Sequence, residues 1–229
     1  IPAHTVFLSP GQRSAAEDML NAWGRPRCLF WGGYEGAERT ICVFLPDWLE
    51  AEDAQSQSPL RFLRVSFRKE YHLTHRDFLG SLMGMGIVRE KVGDILVGED
   101  EADLIVLDSV ASFLLESWIS AGRAKLTVSE IPGEYLHIPQ VRCEEVWDTV
   151  SSLRVDAVAS TGFRLARGKA AALVESGKVQ VNWRECTKPD HLLAEGDTVS
   201  ARGFGKFELT EVGGTTKKGR ISIVVKRFI

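Results

Sequence analysis

The sequence predicts an α+β protein of small helix-on-sheet sandwich units, ending in a compact basic unit. Three observations carry this. Helical and strand-like apolar periods alternate in short runs punctuated by Gly and Pro along all 229 residues. The longest unbroken apolar runs, Ile41-Cys42-Val43-Phe44-Leu45 and Ala170-Ala171-Ala172-Leu173-Val174, are far shorter than the about 20 residues that cross a membrane. The net charge of −3 is unevenly spread: residues 1–151 hold 14 Lys and Arg against 23 Asp and Glu, whereas residues 152–229 hold 14 against 8. Such a basic segment is the electrostatic footprint of an anionic polymer partner. Composition shifts and turn residues divide the chain into an N-terminal unit (1–73), a middle unit (74–150) and the basic unit (151–229).

In the first unit, residues 6–8 read as a short strand. Ser9-Pro10 starts a helix whose Ala15, Ala16, Met19, Leu20 and Trp23 form one apolar face before Gly24. Residues 28–31 and 41–45 are strands joined by the turn-rich Gly32-Gly33-Tyr34-Glu35-Gly36, the acidic stretch 50–59 is a loop, and residues 60–67 are a further strand.

The second unit opens at Thr74, which with Asp77 three residues on forms a capping box; Phe78, Leu79, Leu82, Met83 and Met85 give that helix its buried side. A strand at 94–97, an acidic turn and a strand at 104–107 follow. A helix capped by Asp108 or Ser109 then runs to Gly122, and a last strand covers 125–131. Helix, two strands, helix, strand is a split β-α-β pattern, so the N-terminal and middle units are predicted to be ferredoxin- or RRM-like α/β sandwiches. An extended segment at 141–150 leads into the basic unit.

That unit has helices at 153–163 and 168–176, the second closed by Gly177, strands at 178–183, 198–202, 207–212 and 221–225, and a basic glycine-rich tip at 213–220. Cys28, Cys42, Cys143 and Cys186 contain no C-x-x-C spacing, which suits a reduced, cytoplasmic interior rather than a zinc site or disulfide framework. His72 and His75 lack further ligands at metal spacing, so no metal is expected.

Leu153-Arg154-Val155-Asp156, Arg167-x-Lys169, Gly177-Lys178-Val179-x-Val181-Asn182, Glu195-Gly196-Asp197 and Val199-x-Ala201-Arg202 together resemble the S-four-type RNA-binding domain with its alpha-L motif. Longer tracts, Phe30-Trp31-Gly32-Gly33-Tyr34-Glu35-Gly36, Leu73-Thr74-His75-Arg76-Asp77-Phe78-Leu79-Gly80 and Arg202-Gly203-Phe204-Gly205-Lys206-Phe207, are similar to the bacterial YlmH family, also called RqcP. The resemblance implies a second RNA-binding domain in the middle of the chain and a non-enzymatic, monomeric, cytoplasmic protein without cofactor. It also implies binding to ribosomal RNA and tRNA on the large ribosomal subunit, in quality control of stalled subunits that carry peptidyl-tRNA. One departure is Ala166-Arg167-Gly168-Lys169, where the family commonly has Ser-Arg-Ser-Lys; the lost hydroxyl removes a helix N-cap worth about 1 kcal/mol.

The RNA-binding residues expected on these grounds are Arg154, Arg164, Arg167, Lys169, Lys178, Asn182, Arg202, Lys206, Lys217, Lys218 and Arg220, with His75, Arg76, Arg89 and Lys91 as a secondary set in the middle unit. The rival class is an S-four-domain rRNA-modifying enzyme, a pseudouridine synthase or methyltransferase; a third reading is a general binder of structured RNA. A methyltransferase needs a glycine-rich nucleotide loop after a strand, whereas Met83-Gly84-Met85-Gly86 follows a helix. Asp77, Asp94 and Asp156 are the carboxylates available for catalysis, and each also reads as structural, so no catalytic residue is assigned.

Overall fold

The computed structural model describes residues 2–139 and 142–229. The chain divides at 139/140 into two compact units.

The first unit begins with α1 (Pro10–Ala22), where Gln12 N donates to Ser9 Oγ (3.3 Å) and Ser9 N to Gln12 Oε1 (2.8 Å), a closed capping box. Of the apolar face expected on α1, only Leu20 is buried, while Met19 and Trp23 are exposed. The helix also meets its surroundings through a polar residue, for the Arg13 guanidinium lies over the Phe30 ring at 5.0 Å, a contact that counting apolar residues does not see. The strands β1 (Cys28–Trp31) and β2 (Ile41–Phe44) pair antiparallel. The acidic stretch read as a loop forms α2 (Ala51–Ser56) instead: Glu52 and Asp53 occupy its first turn, where the positive helix end favours them, and Ala54 is fully buried.

Next come β3 (Leu60–Ser66), α3 (His75–Gly84), β4 (Val92–Val97), β5 (Glu101–Leu107), α4 (Asp108–Ser117), the small hairpin β6 (Ser120–Ala121) and β7 (Ala124–Lys125), and β8 (Thr127–Ile131). The helix α4 starts at Asp108, with Leu107 in the cap position in place of the expected Asp108 or Ser109, and stops at Ser117, leaving Gly122 to turn the small hairpin. The main sheet has the order β4-β5-β3-β8, every neighbour antiparallel. One face carries Leu63, Val65, Leu104 and Val106 against Phe78 and Leu82 of α3 and Leu114 of α4. The opposite face carries Leu60, Phe62, Ile105 and Leu107 and packs against Phe7, Ile41, Val43, Leu49, Ala54 and Leu136.

This second layer overturns the boundary expected at 73/74. The strand β3 pairs from Leu60↔Leu107 to Ser66↔Glu101 with β5 and also with β8, and residues before it roof the same sheet. Periodicity marks β3 as a strand but does not encode its distant partners. The roof closes on Phe62, where a Cβ on Gly33 would fall 2.7 Å from the ring and one on Gly133 2.8 Å from it; Gly33 also has φ +100°, a region that L side chains rarely adopt.

The second unit starts with β9 (Cys143–Val150), not at residue 151. The expected beginning of this segment at Val141 lies outside the described residues. After α5 (Val155–Gly162), α6 (Arg167–Glu175), β10 (Val179–Val181), β11 (Arg184–Cys186), β12 (Thr198–Ala201), β13 (Gly205–Thr215) and β14 (Ile221–Phe228), the sheet order is β11-β10-β12-β13-β14-β9. Along its whole length β9 pairs with β14, from Cys143↔Phe228 to Val150↔Ile221, so it belongs with the basic unit. The core joins Val155, Val158, Ala159, Ala170 and Val174 to Val179, Val199, Phe207, Leu209, Ile223 and Val225. The Phe207 ring lies so close to α5 that a Cβ on Gly162 would meet it at 2.2 Å.

Candidate RNA-binding surface

Counted over 140–229, the second unit holds 15 Lys and Arg against 11 Asp and Glu, so drawing in β9 reduces the basic excess expected for 152–229. The added carboxylates act locally. Glu144 on β9 pairs with the Arg164 guanidinium and, at 3.1 Å, with Arg227. Arg164, expected on the RNA face, is therefore committed to an internal ion pair, although its side chain remains exposed.

The starts of the two helices converge on one buried carboxylate. Asp156 of α5, 5% exposed, accepts from Arg154 Nε (3.1 Å) and Nη2 (3.4 Å) and from Arg167 Nε (3.2 Å) and Nη2 (3.3 Å). Burial pushes this carboxyl up, but the hydrogen bonds and charges of Arg167 and Arg154 outweigh it and hold the group below the usual carboxylate range. The arginine side chains are 38% and 47% exposed, and Arg167 Nη1 also reaches Ser151 Oγ at 3.2 Å. Arg154 and Arg167 are thus not free cations as expected, but braced ones facing water.

Arg167 is also the first residue of α6, which has no side-chain N-cap at Ala166 and no acidic residue in its first turn. Uncapped first-turn amides, the positive helix end, Arg167 and exposed Lys169 together favour an anion. Lys178 beyond the other end of α6, and Arg202, Lys217 and Lys218 on turns, are exposed, and their side chains make no hydrogen bond or ion pair to another described residue.

Three other expected contacts are spent inside the protein. Asn182 donates through Nδ2 to Asp197 Oδ1 (2.8 Å) and accepts at Oδ1 from Thr198 N (2.9 Å), which fixes the β10–β11 turn. Lys206 Nζ lies 4.9 Å from the centre of the Phe228 ring. Arg220 donates through Nε to Thr149 Oγ1 at 2.9 Å and also to the Thr149 carbonyl.

The secondary set disperses likewise. Arg89 donates to the carbonyls of Val92 (2.6 Å) and Gly93 (2.9 Å); burial and the neighbouring Arg39 lower its pKa to about 10. Lys91 reaches Ser109 Oγ at 3.2 Å. His75, whose imidazole is lowered by desolvation and by Arg89, and Arg76 are exposed at the start of α3.

The three candidate catalytic carboxylates are each occupied. Asp77 completes the α3 capping box, accepting from Thr74 N at 2.8 Å and Thr74 Oγ1 at 2.6 Å. Asp94 accepts from Tyr34 Oη (2.9 Å), Glu38 N (2.7 Å) and Arg39 N (3.1 Å), and burial together with this carboxylate pushes the Tyr34 phenol up. Asp156 holds the two arginines. Among the described residues no group of three or more His, Cys, Asp or Glu gathers as a metal site.

Two short helices lie on an antiparallel sheet, with guanidiniums and lysines around a helix start, groups of a kind suited to phosphate oxygens. The class of this unit is that of S-four-type RNA-binding proteins, and residues 153–199 match the S4 domain family. Residues 56–135 match the RNA-binding domain of YlmH. The chain is 38% identical over 199 residues, 86% of its own length and 77% of the relative's, to "Ribosome-associated protein quality control protein P2" of Bacillus subtilis (strain 168). It belongs to the YlmH family. Among solved structures, "Cell division protein ylmH from Streptococcus pneumoniae" superposes with a TM-score of 0.51 at 20% identity, covering 59% of this chain and 82% of that one, a likeness of fold.

The sequence does not predict the brace: there Asp156 reads as a candidate catalytic carboxylate or as a structural residue of the first helix. An Arg two positions before an Asp, with another Arg eleven positions after it, was the available signal.

Proposed function

We propose that this protein is a non-enzymatic, cytoplasmic RNA-binding factor of ribosome-associated quality control, which binds the stalled large subunit through ribosomal RNA and tRNA while peptidyl-tRNA is present. The observation that carries the RNA part is the pair of water-facing guanidiniums at the uncapped start of α6, with Lys169 beside them. The ribosomal part rests on the named relative of the same family. The strand order β4-β5-β3-β8 with the chain order β3-α3-β4-β5-α4-β8 supports the ferredoxin-like reading of the middle domain. Occupation of Asp77, Asp94 and Asp156 by structural partners supports the non-enzymatic reading over a modifying enzyme.

The test is sedimentation of tagged protein with defined particles. Large subunits carrying peptidyl-tRNA are expected to retain more protein than empty large subunits or small subunits. Equal recovery on all three would replace this reading with that of a general binder of structured RNA.

A further inference from the structure

Asp156 is a buried carboxylate that no RNA phosphate can profitably touch, yet it lies between two arginines whose side chains are 38% and 47% exposed. One cation is enough to neutralise an aspartate. This one takes two, each through Nε and one terminal nitrogen, so neither guanidinium can swing on its side chain without losing two hydrogen bonds. Both side chains remain open to solvent, although Arg167 Nη1 also reaches Ser151 Oγ.

We infer that Asp156 is a positioning residue that sets RNA selectivity: by holding Arg154 and Arg167 at a fixed separation, it matches them to the regularly spaced phosphates of helical RNA and not to a flexible single strand. The inference rests on the RNA-binding reading above. Its physical content is preorganisation. Two long side chains already immobilised lose little further freedom on meeting a rigid backbone of matching spacing, whereas a flexible strand must be ordered to meet them. Asp156 also lowers the charge of the cluster from +2 to +1, which weakens attraction to any polyanion, fitting or not. The residue therefore trades undirected attraction for geometry. Among the described residues only Asp156 bonds both arginines in this way, and Ser151 steadies Arg167 from the side.

This trade gives a signature that a purely structural carboxylate lacks. In Asp156→Asn, the cluster gains one positive charge and loses its rigid spacing. Affinity for a short blunt RNA duplex is expected to fall about five- to tenfold at fixed salt. Affinity for poly(U) is expected to hold or rise, with the slope of log K against log salt steeper by about 0.7. The duplex-to-poly(U) ratio is the reading, taken well below the thermal midpoint of the variant. Arg154→Lys with Arg167→Lys keeps the charge and removes the forks; it is expected to lower the same ratio, and it decides the matter if Asp156→Asn does not fold. Both affinities changing by one common factor, or an unchanged ratio in a folded variant, overturns the inference. Binding of neither probe by the unaltered protein would instead remove the RNA-binding reading on which it stands.

Discussion

Each unit contains a buried aspartate gripped by arginine, and the two clusters do opposite things. In the first unit, Arg64 Nε and Nη2 each lie 2.8 Å from Asp103, which is 1% exposed. The same guanidinium donates to the Tyr135 carbonyl at 2.6 Å, and His137 N donates to Asp103 Oδ2 at 2.7 Å. The pair faces inward and staples residues 135–137 to the sheet, and the hydrogen bond to Asp103 raises the Arg64 pKa. In the second unit Asp156 is buried too, but its arginines are two and open to water. Equal chemistry therefore makes a fastener in one place and a mount in the other. What decides is whether the guanidinium's remaining N–H groups meet protein carbonyls or solvent.

Removing the carboxylates should separate the two roles most strongly. Asp103→Ala leaves the part-buried Arg64 with Glu101, 3.6 Å away, as its remaining ion-pair partner and frees His137 N, and is expected to cost about 3 kcal/mol, read as a lowered urea midpoint. A loss under about 1 kcal/mol would show that Arg64 simply rehydrates and that the staple is misnamed. Asp156→Ala should be milder, about 1–2 kcal/mol, because two half-exposed arginines recover water. Equal losses in the two variants would erase the contrast.

Acid sharpens the comparison further. The Asp156 carboxyl sits below its unfolded value of about 3.9, so its contribution is present above about pH 4 and is lost as pH falls through the lower folded value. Thermal midpoints of the protein and of Asp156→Asn should therefore differ by a constant amount from pH 5 to 8 and converge below about pH 4. Convergence centred near neutrality would contradict the assignment.

The smallest expected effect on stability lies at the turn near the end of the chain. Lys217→Ala with Lys218→Ala should leave stability within about 0.5 kcal/mol while reducing the salt slope of duplex binding by about 1.4–1.8. An unchanged slope would confine the RNA surface to the helix starts. Arg220, tied to Thr149, is expected to contribute less to that slope than either lysine.

Local chemistry was legible in the sequence and partnership was not. The capping box at Thr74 and Asp77, the helix closed by Gly177, and the alternation of residues 178–181 each depend on residues within a turn or two, and each is present. The assignment of β3 to a first domain failed because its partners on β5 and β8 lie 35 to 69 residues away. At the candidate site, the residue types were readable, but which cations are already taken was not. Arg164 and Arg220 look like any exposed arginine until β9, which supplies Glu144 and Thr149, is folded beside them. The helix α2 was missed because its buried contact is a single alanine.

The roof over Phe62 bears on how this molecule can be taken apart. The matched RNA-binding domain spans 56–135, and β1, β2 and all of α2 but its last residue precede it. A fragment cut to that span would lay bare Leu60, Phe62, Ile105 and Leu107 on one flat apolar sheet face, the kind of surface on which chains aggregate. The apolar face stays covered only with β1, β2 and α2 attached, so the stretch the family model matches is shorter than the stretch that packs around the sheet.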